Sequence, residues 1–223
     1  MNCIKDFNLF ATSNGVRKSA LTDYQKSINN YVSPTIIEER QMNVATLDVF
    51  SRLMYDRIIF MGTAIDDDVA NIIMSQLLYL DSNLNGNKSD ISIYINSPGG
   101  SVYAGNGILD VMDFIKSDIT TICTGIAASM AAVILSNGTK GKRHALPRSR
   151  VMIHQVSSAS SGSYSDMEIG LKEMKRTRDE LYQTLAKNTG KSFDEMVKLC
   201  DRDNWFSADE ACNELHIIDT VLR

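Results

Sequence analysis

Apolar residues recur along the chain in two alternating rhythms. Arg57 to Gly62 (Arg-Ile-Ile-Phe-Met-Gly) is a short apolar run closed by glycine, which predicts a strand. Asp66 to Asp81 carries Val69, Ile72, Ile73, Leu77 and Leu80 at helical spacing, with Asp66 or Asp67 as the cap. Ile91 to Ile95 predicts a second strand, closed by Asn96-Ser-Pro-Gly-Gly100. Asn106 to Lys116 places Ile108, Val111, Met112 and Ile115 on one helical face. Ile119 to Cys123 predicts a third strand, and Ala127 to Leu135 an Ala-rich apolar helix. Arg150 to Val156 reads as another strand. Asp166 to Asn188 reads as a long helix with spaced charges such as Glu168 and Lys172. A last helix starting near Ser207 leads to a short C-terminal strand. This alternation predicts an α/β domain of parallel strands covered by helices. Strand, glycine turn and helix occur at Ile91–Lys116 and again at Ile119–Leu135, at the spacing of a βαβ unit.

Residues 1–30 break the rhythm. They are rich in Asn, Ser and Lys, and set Lys5, Arg17, Lys18 and Lys26 against only Asp6 and Asp23. They predict a loosely ordered leader or propeptide, or else an ordinary frayed terminus. Residues 31–223 then form a single domain, as a chain of 223 residues allows.

Composition narrows the function. With 43% hydrophobic and 22% charged residues the chain is neither wholly disordered nor fibrous. A net charge of −4 gives no basic footprint for nucleic acid. No apolar run reaches the roughly 18 residues of a membrane span, and the first thirty residues hold no continuous apolar core of a secretory signal. Cys3, Cys123, Cys200 and Cys212 are scattered, without a C-x-x-C pair, so neither a metal site nor a disulfide framework is signalled. Such cysteines suit a reducing compartment, and the expected location is cytoplasmic.

Four features can carry chemistry. There are three histidines, His144, His154 and His216, and a base working near neutral pH is most often histidine. His154 ends the strand Val151-Met-Ile-His-Gln155. It is either a half-buried structural side chain or a base. His144 follows Lys142-Arg143 and is expected to be solvated; His216 carries little functional weight. In Gly125-Ile-Ala-Ala-Ser129-Met-Ala131, Ser129 joins strand to helix. It either caps the helix or stands as a hydroxyl beside free backbone N–H groups that suit an oxyanion. Ser97-Pro-Gly-Gly100-Ser is either a plain turn or a place where backbone closely approaches a ligand. Asp201-Arg-Asp203-Asn-Trp205 is either a solvated turn or the source of a carboxylate that orients an imidazole. There is no G-x-S-x-G elbow, no G-x-G-x-x-G and no phosphate-binding G-x-x-x-x-G-K-[ST].

Taken together these stretches resemble one family. Ser51-Arg-Leu53, Asp56-Arg-Ile-Ile-Phe60, Tyr94-Ile-Asn-Ser-Pro-Gly-Gly100, Ala127-Ala-Ser-Met130, Lys140-Gly-Lys-Arg143, Pro147-Arg-Ser-Arg-Val-Met-Ile-His-Gln155 and Asp201-Arg-Asp203 are similar to the proteolytic subunit of the Clp protease, over roughly 31–223. The resemblance implies a crotonase-like fold of repeated ββα units with a long handle helix after Asp166. It implies an ATP-dependent serine endopeptidase with nucleophile Ser129, general base His154 and orienting carboxylate Asp203. The oxyanion donors would be the backbone N–H groups of Gly100 and Met130. No metal or cofactor is implied in this subunit, since ATP is used by the partner. Expected partners are further copies of the chain in two stacked heptameric rings, a AAA+ unfoldase docking near Tyr94, and the unfolded polypeptides it delivers. Asp201 and Arg202 match positions of ring–ring ion pairing, and self-cleavage is expected near Tyr31. The chain departs from the family at Ala131, where glycine is usual, in the Ser-rich handle entry Ser157–Tyr164, and at Ala211–His216, which replaces a shorter Gly-containing turn. Two other readings stay open: a non-catalytic subunit that only builds mixed rings, and a crotonase-type acyl-CoA enzyme. The first would lack a member of the triad; the second would need acidic catalytic groups in place of the Ser/His pair.

Overall fold

A computed structural model describes residues 9–29, 35–40, 43–82, 89–157 and 162–223, with backbone alone for 24–29, 35–40 and 43–47. The elements run α1 (Lys18–Asn29), β1 (Thr35–Arg40), β2 (Asn43–Asp48), α2 (Val49–Tyr55), β3 (Ile58–Met61), α3 (Asp67–Ser82), β4 (Ile91–Ser97), α4 (Val102–Phe114), β5 (Ile119–Ala128) and α5 (Met130–Ser136). They continue with β6 (Arg143–Ala145), β7 (Arg150–Ile153), α6 (Tyr164–Thr189), α7 (Phe193–Leu199), β8 (Asn204–Ser207), α8 (Ala208–Asn213) and β9 (Thr220–Val221).

The main sheet has the order β3-β4-β5-β6-β9, all parallel, while β1 and β2 form a separate antiparallel pair. The expected α/β architecture is therefore present. Strand β5 carries the topology that matters. Its first half, Thr121–Cys123, pairs with β6; its second half, Ile126–Ala128, pairs with β7. The glycine at 125 reads in sequence as a strand end, yet the chain stays extended through it because β7 takes up the next rungs. The sheet is not purely parallel: β8 runs antiparallel to β7.

Alternation explains the core. Ile91, Ile93 and Ile95 of β4 point to one face and are fully buried, against Ile72, Ile73 and Leu77 of α3 and Ile108 and Met112 of α4. Each such side chain contributes about 1.5–3 kcal/mol on burial. Helix α4 begins earlier than its apolar spacing predicts, because the Ser101 hydroxyl caps it by accepting from the Ala104 N–H. Helix α3 starts as expected, with Asp66 accepting from the Val69 N–H. The expected final helix is α8, opened by a capping box between Ser207 and Glu210.

One expectation, that of a solvated His144, needs correction. The described part of the leader is helical at 9–13 and 18–29, with Ala11, Val16, Ala20 and Leu21 buried. Phe10 meets Tyr79 of α3 edge-on and Arg17 pairs with Asp68. Tyr31, the expected cleavage point, lies outside the described residues. His144 is not solvated: it lies half-buried in β6, with its Nδ1 shielded from solvent. Among the described residues, no helix is long and apolar enough to cross a membrane.

Candidate active site

Strand β5 delivers Ser129. Its ladder with β7 ends at Ala128 opposite Met152, and the Ser129 N–H donates to the Met152 carbonyl at 2.8 Å. The chain then turns into α5 with Ser129 at φ 55°, a left-handed conformation rare for a side chain other than glycine. Ser129 makes no side-chain cap bond. Its hydroxyl is thus not used for capping, the bland alternative in the sequence.

His154 follows β7 directly, and the β7–β8 register places its partner. Arg150 faces Ser207, Val151 faces Phe206, Met152 faces Trp205 and Ile153 faces Asn204. The next rung of that antiparallel ladder is His154 opposite Asp203. Directly opposed side chains in such a ladder share a face and lie within contact distance. Accordingly His154 Nδ1 lies 3.3 Å from Asp203 Oδ1, while Nε2 lies 2.8 Å from Ser129 Oγ. Three side chains far apart in sequence form a continuous relay of contacts. Asp201-Arg202-Asp203 is therefore no free turn: the Gln155 amide donates to the Asp201 carbonyl at 2.7 Å and ties this loop to the strand that carries His154.

The Pro-Gly-Gly turn reaches the same point. A Cβ on Gly99 would sit 2.5 Å from the Ala128 carbonyl oxygen, 2.8 Å from Ser129 Cβ and 2.9 Å from the Met130 nitrogen. Gly99 also has φ +88°, so both space and conformation demand glycine. Of the two glycines expected to let the backbone approach a ligand, Gly99 is the one packed against the Ser129 turn. Gly99→Ala is expected to displace the Ser129 turn and lower peptidase activity by about 100-fold or more, the scale of losing one oxyanion donor. Steady-state kinetics on a short peptide checks this.

Gly100 and Met130 line the same cavity as Ser129 and His154, and among the described residues nothing engages either backbone N–H. The cavity has a volume of about 270 Å³. Beyond the polar groups it is walled by Val102, Val133, Ile153, Leu181, Tyr182 and Leu185, so its floor is apolar. A larger cavity of about 690 Å³ lies elsewhere, among Arg143, Asp219 and the ends of α4, α5 and α6. It touches none of Ser129, His154 and Asp203, and size alone does not make it the site. No group of three His, Cys, Asp or Glu side chains placed to hold a metal ion occurs among the described residues.

Comparisons with known proteins identify the family. The family model for Clp protease matches residues 40–223. The chain belongs to the Clp protease family. It is 56% identical over 221 residues to an ATP-dependent Clp protease proteolytic subunit of Porphyromonas gingivalis, covering 99% of this chain and 98% of that one. A protein of the same description from Bacteroides fragilis is 56% identical over 218 residues, covering 97% and 98%. An ATP-dependent Clp protease proteolytic subunit 1 of Salinibacter ruber is 44% identical over 190 residues, covering 85% and 80%. As a member of the Clp protease family the chain is a serine peptidase, a hydrolase.

Proposed function

We propose that Ser129 is the nucleophile of this peptidase, His154 its general base and Asp203 the group that orients the imidazole. The observation that carries this is the 2.8 Å contact from Ser129 Oγ to His154 Nε2, backed by Asp203 on the opposite ring nitrogen. Ser129 attacks the peptide carbonyl while His154 takes the hydroxyl proton, and Asp203 stabilises the imidazolium that forms. The tetrahedral oxygen is received by the N–H groups of Gly100 and Met130. His154 returns its proton to the leaving amine, and water hydrolyses the acyl-enzyme through the same base. The apolar floor of the adjoining cavity favours an apolar side chain next to the cut bond, because burying it there removes apolar surface from water.

The substrates in this reading are unfolded polypeptides fed by an ATP-driven AAA+ unfoldase, as the printed description of the relatives as ATP-dependent suggests. Tyr94 and the aromatic group around it supply its docking place: Phe60 stacks on Tyr94 with ring centroids 6.3 Å apart, and Phe50 meets Phe60 edge-on. The chains assemble as stacked heptameric rings, with α6 as the handle and Asp201 and Arg202 at the contact between rings. Removal of the leader near Tyr31 belongs to the same reading. The experiment compares a short peptide with an apolar residue at the cut against a folded protein. The peptide is expected to be hydrolysed without ATP, and the folded protein only when unfoldase and ATP are added. Digestion of the folded protein by the peptidase alone would contradict the assignment of the partner.

A further inference from the structure

The Ser97 hydroxyl is fully buried and has no part in the proposed proton relay. It is 0% exposed, at the last position of β4, where the register with β5 shifts between Ile95 and Ser97. Its oxygen accepts from the Gly99 N–H at 3.2 Å. Pro98 has no N–H, so this is the bond by which the end of β4 fixes the orientation of the peptide unit entering Gly99.

The next peptide unit, Gly99–Gly100, is held from its other side by Ile65. The Ile65 N–H donates to the Gly99 carbonyl at 2.9 Å, and the Ser101 N–H donates to the Ile65 carbonyl at 2.8 Å. Gly100 is the residue between them, in an isolated parallel bridge with Ile65. In such a bridge the middle residue turns its own N–H to the opposite side. For Gly100 that side is the cavity holding Ser129 and His154. A Cβ at Gly100 would run into the Ile65 carbonyl oxygen, so the turn is also pressed against Ile65 from behind.

We propose that Ser97 is a positioning residue for the reaction: its hydroxyl locks the Pro98–Gly99 peptide plane and so holds the Gly100 N–H aimed at the developing oxyanion. The inference rests on the assignment of Gly100 as an oxyanion donor and deepens it. Ser97 touches no substrate. Without its hydroxyl the Gly99 N–H loses its acceptor in a dry environment, and the turn gains freedom to rotate toward another one. An interaction made chiefly in the transition state is then weakened, with ground-state binding left intact.

The test uses the full-length assembled protein and two ligands. One is a peptide boronic acid, which forms a tetrahedral adduct on the serine. The other is the same peptide with a hydrogen in place of the boronic acid group, which binds through its side chains and puts no oxygen against the Gly100 and Met130 N–H groups. For Ser97→Ala, kcat and boronate affinity are expected to fall together by about 10-fold, with KM and the affinity of the boron-free peptide unchanged. Ser97→Thr, which keeps the hydroxyl, is expected to recover most of both. If the Ala variant fails to assemble, Ser97→Cys, similar in size but a poor acceptor, is expected to show the same parallel loss. Unchanged boronate affinity in the Ala or Cys variant would overturn the proposal. So would an equal loss of affinity for the boron-free peptide, because that marks general damage to the site. Failure of the unaltered protein to bind the boronate would overturn the Ser129 and oxyanion reading itself, and this inference with it.

Discussion

Replacing Ser129 by alanine is expected to reduce kcat for peptide hydrolysis by a factor on the order of 10⁶, with the assembled particle intact. The reason is mechanical rather than structural. Ser129 donates its backbone N–H to Met152, and alanine retains that bond. The hydroxyl makes no cap bond, so α5 loses nothing when it is removed. Only the contact to His154 Nε2 disappears. His154→Ala is expected to cost a similar factor, and the double variant little more than either single one. A proton relay works as a unit, and the second deletion has nothing left to remove. Asp203→Asn is expected to be milder, since Asp203 acts through the ring and its side chain is 66% exposed. Independent, additive losses in the Ser129 and His154 variants would argue against a shared step. Thermal melting of each variant, expected to match the parent, separates this chemistry from unfolding.

The second large effect concerns stability. Arg143 is 6% and Asp219 19% exposed at their side chains, and the guanidinium and carboxylate meet through two bonds, at 2.9 Å and 2.5 Å. The Arg143 and Gly141 backbone N–H groups also donate to Asp219. Arg143 Nη1 reaches the Asn188 carbonyl at the end of α6 and the Ser136 carbonyl at the end of α5. One buried cation thus ties the last turns of two helices to the sheet. Asp219→Ala is expected to destabilise the fold by about 3–5 kcal/mol, because it leaves the Arg143 charge buried and unpaired. Denaturant unfolding measures this, and a change under 1 kcal/mol would show the pair to be dispensable.

The pH dependence of that pair has a definite sign. Burial pushes the Asp219 carboxyl up, but the Arg143 fork and the two backbone donors outweigh it, and the group lies below the ordinary carboxylate range. A depressed folded pKa contributes stability that is complete above the unfolded value, near 3.9 for Asp. That contribution is lost as pH falls through the folded value. The stability gap between the parent and Asp219→Asn is therefore expected to be constant through neutral pH and to close only in strong acid.

The parts of this molecule that were readable in sequence are those where local pattern and tertiary demand coincide. The strand at Ile91–Ile95, the helix capped by one of Asp66 and Asp67 and the helix start near Ser207 hold in the fold because the apolar run of the strand and the cap bond of each helix lie within a few residues. The candidate triad was legible through its motifs, Ala-Ala-Ser-Met, Met-Ile-His-Gln and Asp-Arg-Asp, and the structure brings Ser129, His154 and Asp203 into contact. What was not legible depends on partners distant in sequence. Asn204–Ser207 holds only Trp205 and Phe206 as strand formers, too short a run to read as a strand by itself, and it is extended because β7 pairs with it. Ala127 and Ala128 read as the start of a helix and are strand for the same reason. The left-handed turn at Ser129 violates the residue's own preference, and the packing of Gly99 and the bond to Met152 impose it. His144 looked solvated because it adjoins Lys142 and Arg143. In the fold Lys142 is taken by Asp90 and Asp118, and Arg143 is buried against Asp219.

The most direct measurement is covalent. A fluorophosphonate reacts with a serine hydroxyl only where a base activates it and donors receive the phosphoryl oxygen. Treating the assembled protein with such a probe, digesting it and locating the adduct by mass spectrometry reads the site in one step. The account predicts a single adduct on Ser129 that disappears in His154→Ala. An adduct on another serine, or peptide hydrolysis that continues while Ser129 stays unmodified, would contradict it.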